Sequence, residues 1–454
     1  WNLRMIILFF ILLIILSSHF YSDVRSNVRQ GMLVWEALFS GNFFHYYSMG
    51  MEAVENGLMI HYCNYDMILN IIMGIWQLPL YIIEKIIGGD ILKFFWARVY
   101  SKLYLLALVY FAGIVMKKIA LQLGVDEEKT DDLQFMFFSS VFVLISAVVA
   151  SQVDIVGLLF ILLSLYFLMM EDDLKFMVFF TLAVQCKFFA FFIFLPIILL
   201  REKRIWKILL QLIIPFILTI VVNLPFSLID PEGTGIKGRR LAIMVEDLLG
   251  AKTNVLGFTV PTIFLIFAVI CIIAYYIDLS NNEDRKKWYL YFGFLGTVGL
   301  FITLNVYPYW FIYFTPFITL FFFLDGTKAK RRLLFETICS WSMAVGIVFS
   351  RYWCFSAFRI MFFGQMFSDV KQYLTIEQLW MKFGHVSYYM AWTITYGIFV
   401  AWLLLLLFYH CPLVSKRRKS VPMDENIETH LWIRAGGNLI ICNAGLILFL
   451  IGQV

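Results

Sequence analysis

Uninterrupted apolar runs close to twenty residues long decide what this chain can fold into. A helix rises 1.5 Å per residue, so about twenty apolar residues cross the ~30 Å hydrocarbon layer of a bilayer. A barrel strand would alternate apolar and polar side chains over roughly ten residues, and these runs do not alternate. Hydrophobic residues fill 62% of the 454 positions and charged residues only 15%, whereas a soluble globule carries about a quarter charged residues. Lipid is the solvent that suits such a surface. The expectation is an all-α, polytopic integral membrane protein. Counting runs predicts about 13 transmembrane helices. They lie near residues 5–20, 67–87, 100–117, 132–150, 155–170, 176–200, 206–226, 259–278, 288–306, 308–324, 333–350, 386–409 and 433–452.

Two long breaks, 21–66 and the Gly-rich, mixed-charge 227–258, read as outer loops. A third, 351–385, is rich in aromatics and Met and is expected along the interface. The segment 31–50 is too short and polar to span, and suits an interfacial helix better than an ordinary loop. The run 5–17 is followed by no A-x-A-like cleavage site, so it is expected to stay as the first span. Basic residues gather at Arg201, Lys203, Arg204 and Lys207, at 285–287, at 328–332 and at 416–419. The positive-inside rule makes these cytoplasmic, and alternation then puts 21–66, 227–258 and 351–385 outside. Lys117 and Lys118 fall outside by the same count, against the rule. The net charge of +5 comes from these clusters, so it speaks to orientation and not to nucleic acid. The seven cysteines are scattered without a CxxC pair. They read as small core residues and imply neither a disulfide framework nor a metal site.

Chemistry has few places to sit. Asp23 follows the first span directly, with Arg25 and Arg29 behind it. A carboxylate at the membrane surface suits a general base, although a helix-capping loop aspartate is the simpler reading of that residue alone. Asp66, in the same loop, is a second acidic candidate. Lys187 lies in "LAVQCKFFAFFIFLP" near the middle of an apolar run. An ammonium there costs at least ~2.5–3.5 kcal/mol, so it is expected to face a cavity or a partner rather than snorkel. "SQVD" (151–154) places Gln152 and Asp154 between two apolar runs, where Asp154 also suits a helix cap. The aromatic "NVYPYWFIYFTPF" (305–317) includes Tyr309 and Tyr313 and could be an interfacial belt. Lys237, Arg239 and Arg240 suit a phosphate or an ordinary solvated face.

The order of these segments resembles the GT-C superfamily of membrane glycosyltransferases that use polyprenyl-phosphate sugars. Asp23 just after span one is followed by "HYCNYDMILNIIMGIWQLPLY", "FWARVYSKLYLL", "SQVD", "CKFFAFFIFLP" with basic residues behind it, and "YPYWFIYFTP". The nearest flavour is the bacterial relatives of the mannosyltransferase that acts on glycosylphosphatidylinositol. The likeness covers about residues 1–320, a catalytic transmembrane module, and leaves 321–454 as additional C-terminal helices. It implies Asp23 as the catalytic loop carboxylate and Lys187 as the lysine before an aromatic and a later proline. "SQVD" then corresponds to the family's polar segment, and Tyr309 and Tyr313 to its aromatic one. Two departures stand out. Prolines that many relatives carry at the entry to the second span are missing from "NYDMIL", and Pro308 replaces a glutamine. Strict alternation also puts "SQVD" inside, whereas the likeness puts it beside Asp23; a half-membrane segment within 100–150 would reconcile them.

The resemblance implies inverting transfer of a hexose or pentose from a polyprenyl-phosphate donor to an extracytoplasmic glycan or lipid-linked acceptor. The setting would be a bacterial plasma membrane with the active site facing outward; a divalent metal is compatible with this chemistry but not indicated by the sequence. A phosphate leaving group departs without a general acid, and basic residues stabilise its charge. The rival is a transporter or flippase of lipid-linked glycans, whose folds favour inverted repeats and broken helices. A non-catalytic scaffold subunit is the third reading.

Overall fold

The structure is a computed structural model that describes residues 3–255, 257–279, 284–304, 307–348, 388–415, 426–444 and 446–447. The expected interfacial stretch 351–385, the basic run 416–419 and the end of the last expected span lie outside the described residues. The chain is almost wholly helical, with one two-stranded hairpin among the described residues. In order the helices are α1 (Leu3–Ser18), α2 (Ser22–Phe39), α3 (Tyr46–Glu55), α4 (Met67–Ile87), α5 (Phe95–Gln122), α6 (Thr130–Phe138) and α7. The last is a turn at Val141–Val143 continuing as a π-helix through Leu144–Val149. Next come α8 (Asp154–Met169), α9 (Asp173–Cys186), α10 (Phe189–Arg201), α11 (Ile205–Ile229) and α12 (Pro231–Gly250). Strands β1 (Lys252–Val255) and β2 (Phe258–Pro261) pair antiparallel. The chain continues with α13 (Thr262–Tyr276), α14 (Arg285–Thr303), a 3₁₀ turn (Pro308–Phe314), α15 (Thr315–Phe323), α16 (Ala329–Val348), α17 (Tyr388–His410) and α18 (Glu428–Cys442).

Among the described residues four helical stretches are long and apolar enough to cross a bilayer: α4, α5, α11 and residues 393–410 of α17. The number rises to six if two pairs of shorter neighbouring helices each count as one span. Several expected spans are instead short apolar helices such as α8, α10 and α13. The physical reason is that runs which look continuous in composition are broken in backbone. The run 176–200 is the clearest correction: it divides into α9 and α10 at Lys187, whose backbone is extended (φ −151°, ψ 119°). The run 132–150 divides at Ser139–Ser140, where the two halves bend by 45°. Nine-residue helices such as α6 are only about 14 Å long and cannot cross alone.

The two outer loops also carry more helix than composition suggests. In 227–258 the glycines are overridden by local capping. The Asp230 carboxylate accepts from Gly233 N–H at 3.0 Å and Pro231 occupies the first turn, so α12 starts at a well-formed N-terminus.

The chain packs as two compact units. The first comprises residues 1–21, 105–155 and 307–454, and the second 22–104 and 156–306. Within the first, the break in α6–α7 is repaired by later helices. Arg434 on α18 donates to Met136 O (3.0 Å), while Asn438 Nδ2 donates to Ser139 O (2.7 Å). The same guanidinium is held in a two-pronged bond by Glu336 on α16, at 2.7 and 2.9 Å. Carbonyls freed by the break thus find donors inside the protein, as a lipid environment demands. The helices beyond residue 320 are therefore built into the first unit.

Within the second unit, α2 crosses α4 at a pair of glycines. A Cβ on Gly74 would stand 3.0 Å from Gly31 O, so a side chain here would press the two backbones apart by a few tenths of an ångström. α11 has 25 residues, about 37 Å of helix, which exceeds the hydrocarbon layer. At its start lies a basic end. Lys203 Nζ donates to Leu199 O, Ala274 O and Tyr275 O, capping α10 and α13, and Arg204 holds Glu202 at 2.9 Å. That hydrogen bond pulls the Glu202 carboxyl down to about 2. At the far end of α11, Asp230 accepts from Ser48 N (3.0 Å) and Ser48 Oγ (2.5 Å), so α12 is moored to α3. The expected outer loops 21–66 and 227–258 therefore touch, at the opposite end of α11 from the basic end.

Candidate functional site

The site is built on α2, α4 and the irregular strand of chain between α3 and α4. Asp23 stands in the first turn of α2, and its Oδ1 lies 3.0 Å from Nε2 of His61. Four α2 side chains grip this connecting stretch. Besides Asp23, Arg25 Nε donates to Leu58 O (3.1 Å), Ser26 Oγ accepts from Ile60 N (3.0 Å) and His61 N (3.1 Å), and Gln30 Nε2 donates to Tyr62 O (3.4 Å). Cys63 is buried beneath it, and burial pushes its thiol up to about 12, which makes it packing and not chemistry. Arg25 and Arg29, close to Asp23 in sequence, are occupied elsewhere. Arg29 binds Glu84 and Asp90, both at 2.5 Å, and Arg25 binds Asp90 at 3.2 Å. They clamp α2 to the end of α4.

Asp66 lies at the other end of the same stretch, before α4. Its carboxylate receives Lys237 Nζ from α12 and Asn223 Nδ2 from α11, the latter at 3.0 Å. Lys237 Nζ also donates to Asn223 Oδ1 (2.6 Å) and to Tyr47 Oη (3.4 Å). Lys237 is therefore already ion-paired. Arg239 is exposed, and two residues from Lys237 puts it on nearly the opposite face of the helix. The two do not form one phosphate cradle. The Arg240 side chain lies outside the described residues.

Lys187 sits at the break between α9 and α10, where its backbone N–H still reaches Ala183 O (2.8 Å). Its ammonium lies 5.7 Å from the Tyr65 ring centroid and 5.8 Å from that of Phe189, within cation–π range. A continuous helix would fix the direction of this side chain by its period. The break releases that constraint and turns the charge toward Tyr65, the neighbour of Asp66. Asp23, Asp66, Lys187 and Lys237 thus all belong to the second unit, at or next to the 58–66 stretch.

Gln152, Asp154, Tyr309 and Tyr313 belong to the first unit. Tyr313 Oη donates to Asp154 O (3.3 Å) and Oδ1 (3.4 Å), both residues being fully buried. Gln152 Nε2 approaches Ala150 O at 3.5 Å in a turn where Ser151 has φ 48°. Tyr309 stacks on Tyr307 with ring centroids 5.6 Å apart. "SQVD" and the aromatic segment thus meet through Tyr313 and Asp154.

Sequence reasoning missed His61, Asn223 and Tyr47, and also two buried cations on α5, Arg98 (6% exposed) and Lys102 (1% exposed). Lys102 had a usable signal, since a lysine inside an apolar run is costly wherever it occurs. Asn223 had the same one. His61 had none, because its partner is 38 residues away. No protein-family model, curated protein or solved structure matches the chain.

Proposed function

We propose that the chain is a GT-C-like membrane glycosyltransferase with about 13 transmembrane helices. In this reading it moves a hexose or pentose, with inversion, from a polyprenyl-phosphate donor to an extracytoplasmic glycan or lipid-linked acceptor. Asp23 takes the proton of the acceptor hydroxyl as that oxygen attacks the anomeric carbon. The bond from that carbon to the phosphate oxygen breaks, and its electron pair leaves with the phosphate. Lys187 stabilises the anionic head of the donor, and the outer end of the second unit faces away from the cytoplasm of a bacterial cell. The observation that carries the reading is Asp23: a partly exposed carboxylate at a helix start, hydrogen-bonded to His61, which lies in a stretch that neighbouring side chains hold in place.

The test is Asp23→Asn, near-isosteric but unable to accept a proton at neutral pH. Transfer of radiolabelled sugar from a polyprenyl-phosphate donor should fall at least about 10²–10⁴-fold, with Tm unchanged. Asp66→Asn is the comparison, since loss there with Asp23 dispensable would move the base. Full transfer by both variants and by the double variant would overturn the mechanism. The second reading, a transporter or flippase of lipid-linked glycans, draws on the breaks at Lys187 and Ser139–Ser140, because discontinuous helices often mark transport sites. Uptake or flipping of a lipid-linked glycan by proteoliposomes without sugar transfer would favour it.

A further inference from the structure

The stretch 58–66 forms no helix or strand, yet it is fastened more densely than an ordinary connection. Ser26 lies three residues after Asp23 on α2, so the two share a face. Asp23 holds the His61 ring while Ser26 holds the His61 backbone N–H. The imidazole is thus fixed from both ends by one helix face. Farther along, Tyr47 Oη and Asn70 Nδ2 both donate to Tyr65 O, at 3.2 Å each. These contacts leave the stretch little freedom to move His61 away from the carboxylate. The His61 and Asp23 side chains remain 39% and 23% exposed, so the pair is reachable from outside the core. A surface ion pair contributes little to stability, and so much fastening around one is better explained by a need for fixed geometry.

We propose that His61 is a positioning residue for Asp23, a role that rests on the glycosyltransferase reading given above. Its Nε2–H donates to Asp23 Oδ1 and holds the carboxylate in one rotamer. The charged group then meets the acceptor hydroxyl in a set orientation. The proton removed from that hydroxyl ends on the Asp23 carboxylate, and His61 gains and loses nothing in the step. Histidine suits the task because its ring is stiff and its donor stands at the end of it. Glutamine can place an N–H at a similar reach, whereas leucine cannot.

The experiment compares His61→Leu, His61→Gln and the wild type, each as the full chain in detergent. Sugar transfer is read as kcat and KM per folded protein. Loss of orientation should lower kcat about 10–100-fold in His61→Leu while KM stays within about twofold, and His61→Gln should recover most of it. In an Asp23→Asn background, His61→Leu should cost nothing further, because the two act as one unit. A His61→Leu protein with full kcat overturns the proposal, as does an equal additional loss in the Asp23→Asn background. A readout independent of activity is carbethoxylation of His61 by diethyl pyrocarbonate, followed by mass spectrometry. Removing the acceptor altogether in Asp23→Ala releases Nε2, so labelling should quicken about threefold or more; unchanged labelling in that variant overturns the pairing itself. If labelling quickens but the wild type transfers no sugar, the glycosyltransferase reading fails and this role falls with it.

Discussion

Single residues carry the tightest constraints where two backbones meet. Gly74 is one: an added Cβ meets Gly31 O at 3.0 Å and Val34 Cβ at 3.3 Å. Neither neighbour is a flexible side-chain tip, so the helices themselves must move apart. Gly74→Ala is expected to cost about 1–3 kcal/mol, read as a lowered Tm in detergent, and an unchanged Tm would show that the crossing is loose. Lys187 is constrained by charge instead. Lys187→Met keeps length and apolar bulk, so expression should survive while transfer or donor binding falls at least about tenfold. Full activity in that variant would mean that the ammonium plays no part in transfer. Asp23, Asp66 and Lys187 were legible in the sequence because each is a charge where charge is expensive or exposed at a boundary. His61 and Tyr47 were not, because ordinary polar residues acquire meaning only from partners far along the chain.

Elements show where reading by composition stops. Apolar content marks where helix is built from apolar residues, but one or two polar residues barely change a window average, so the breaks at Lys187 and Ser139–Ser140 do not show in a hydropathy count. α12 illustrates the opposite case: three glycines in its first eight residues suggest a loop, and one aspartate at its N-cap with a proline behind it makes a helix. The break in the first unit depends on Arg434 and Glu336, which are 2% and 6% exposed. Replacing Arg434 by Met leaves a carboxylate buried without its partner and should cost about 3–5 kcal/mol. The double change Arg434→Met, Glu336→Leu removes both charges and should restore part of that loss. Thermal or denaturant unfolding of the three variants checks it; a single variant as stable as the wild type would show that the network is idle.

At the scale of the molecule, the contact between segments 21–66 and 227–258 constrains any topology independently of charge counting. Ser48 meets Asp230, and Lys237 meets Asp66, so 21–66 and 227–258 must lie on one side of the bilayer. Cysteines placed at exposed Asn56 and Asn254 should react alike with an impermeant maleimide applied to intact cells, whereas one at exposed Lys207 should react only after permeabilisation. Opposite behaviour of Asn56 and Asn254 would contradict the fold, and protection of both in intact cells would reverse the orientation. The grouping of the chain into two units was not legible, since each unit gathers stretches separated by whole blocks of sequence and their adjacency depends on pairs such as these.

The repaired break in α6–α7 has a consequence in time. Ser139 O receives its donor from Asn438, 299 residues later. At a synthesis rate of about 5–20 residues per second, that partner follows roughly 15–60 s behind. Throughout that interval the carbonyl at the α6–α7 bend must be satisfied by another donor, such as water. The first unit closes only when α18 arrives, so that helix acts as its latch.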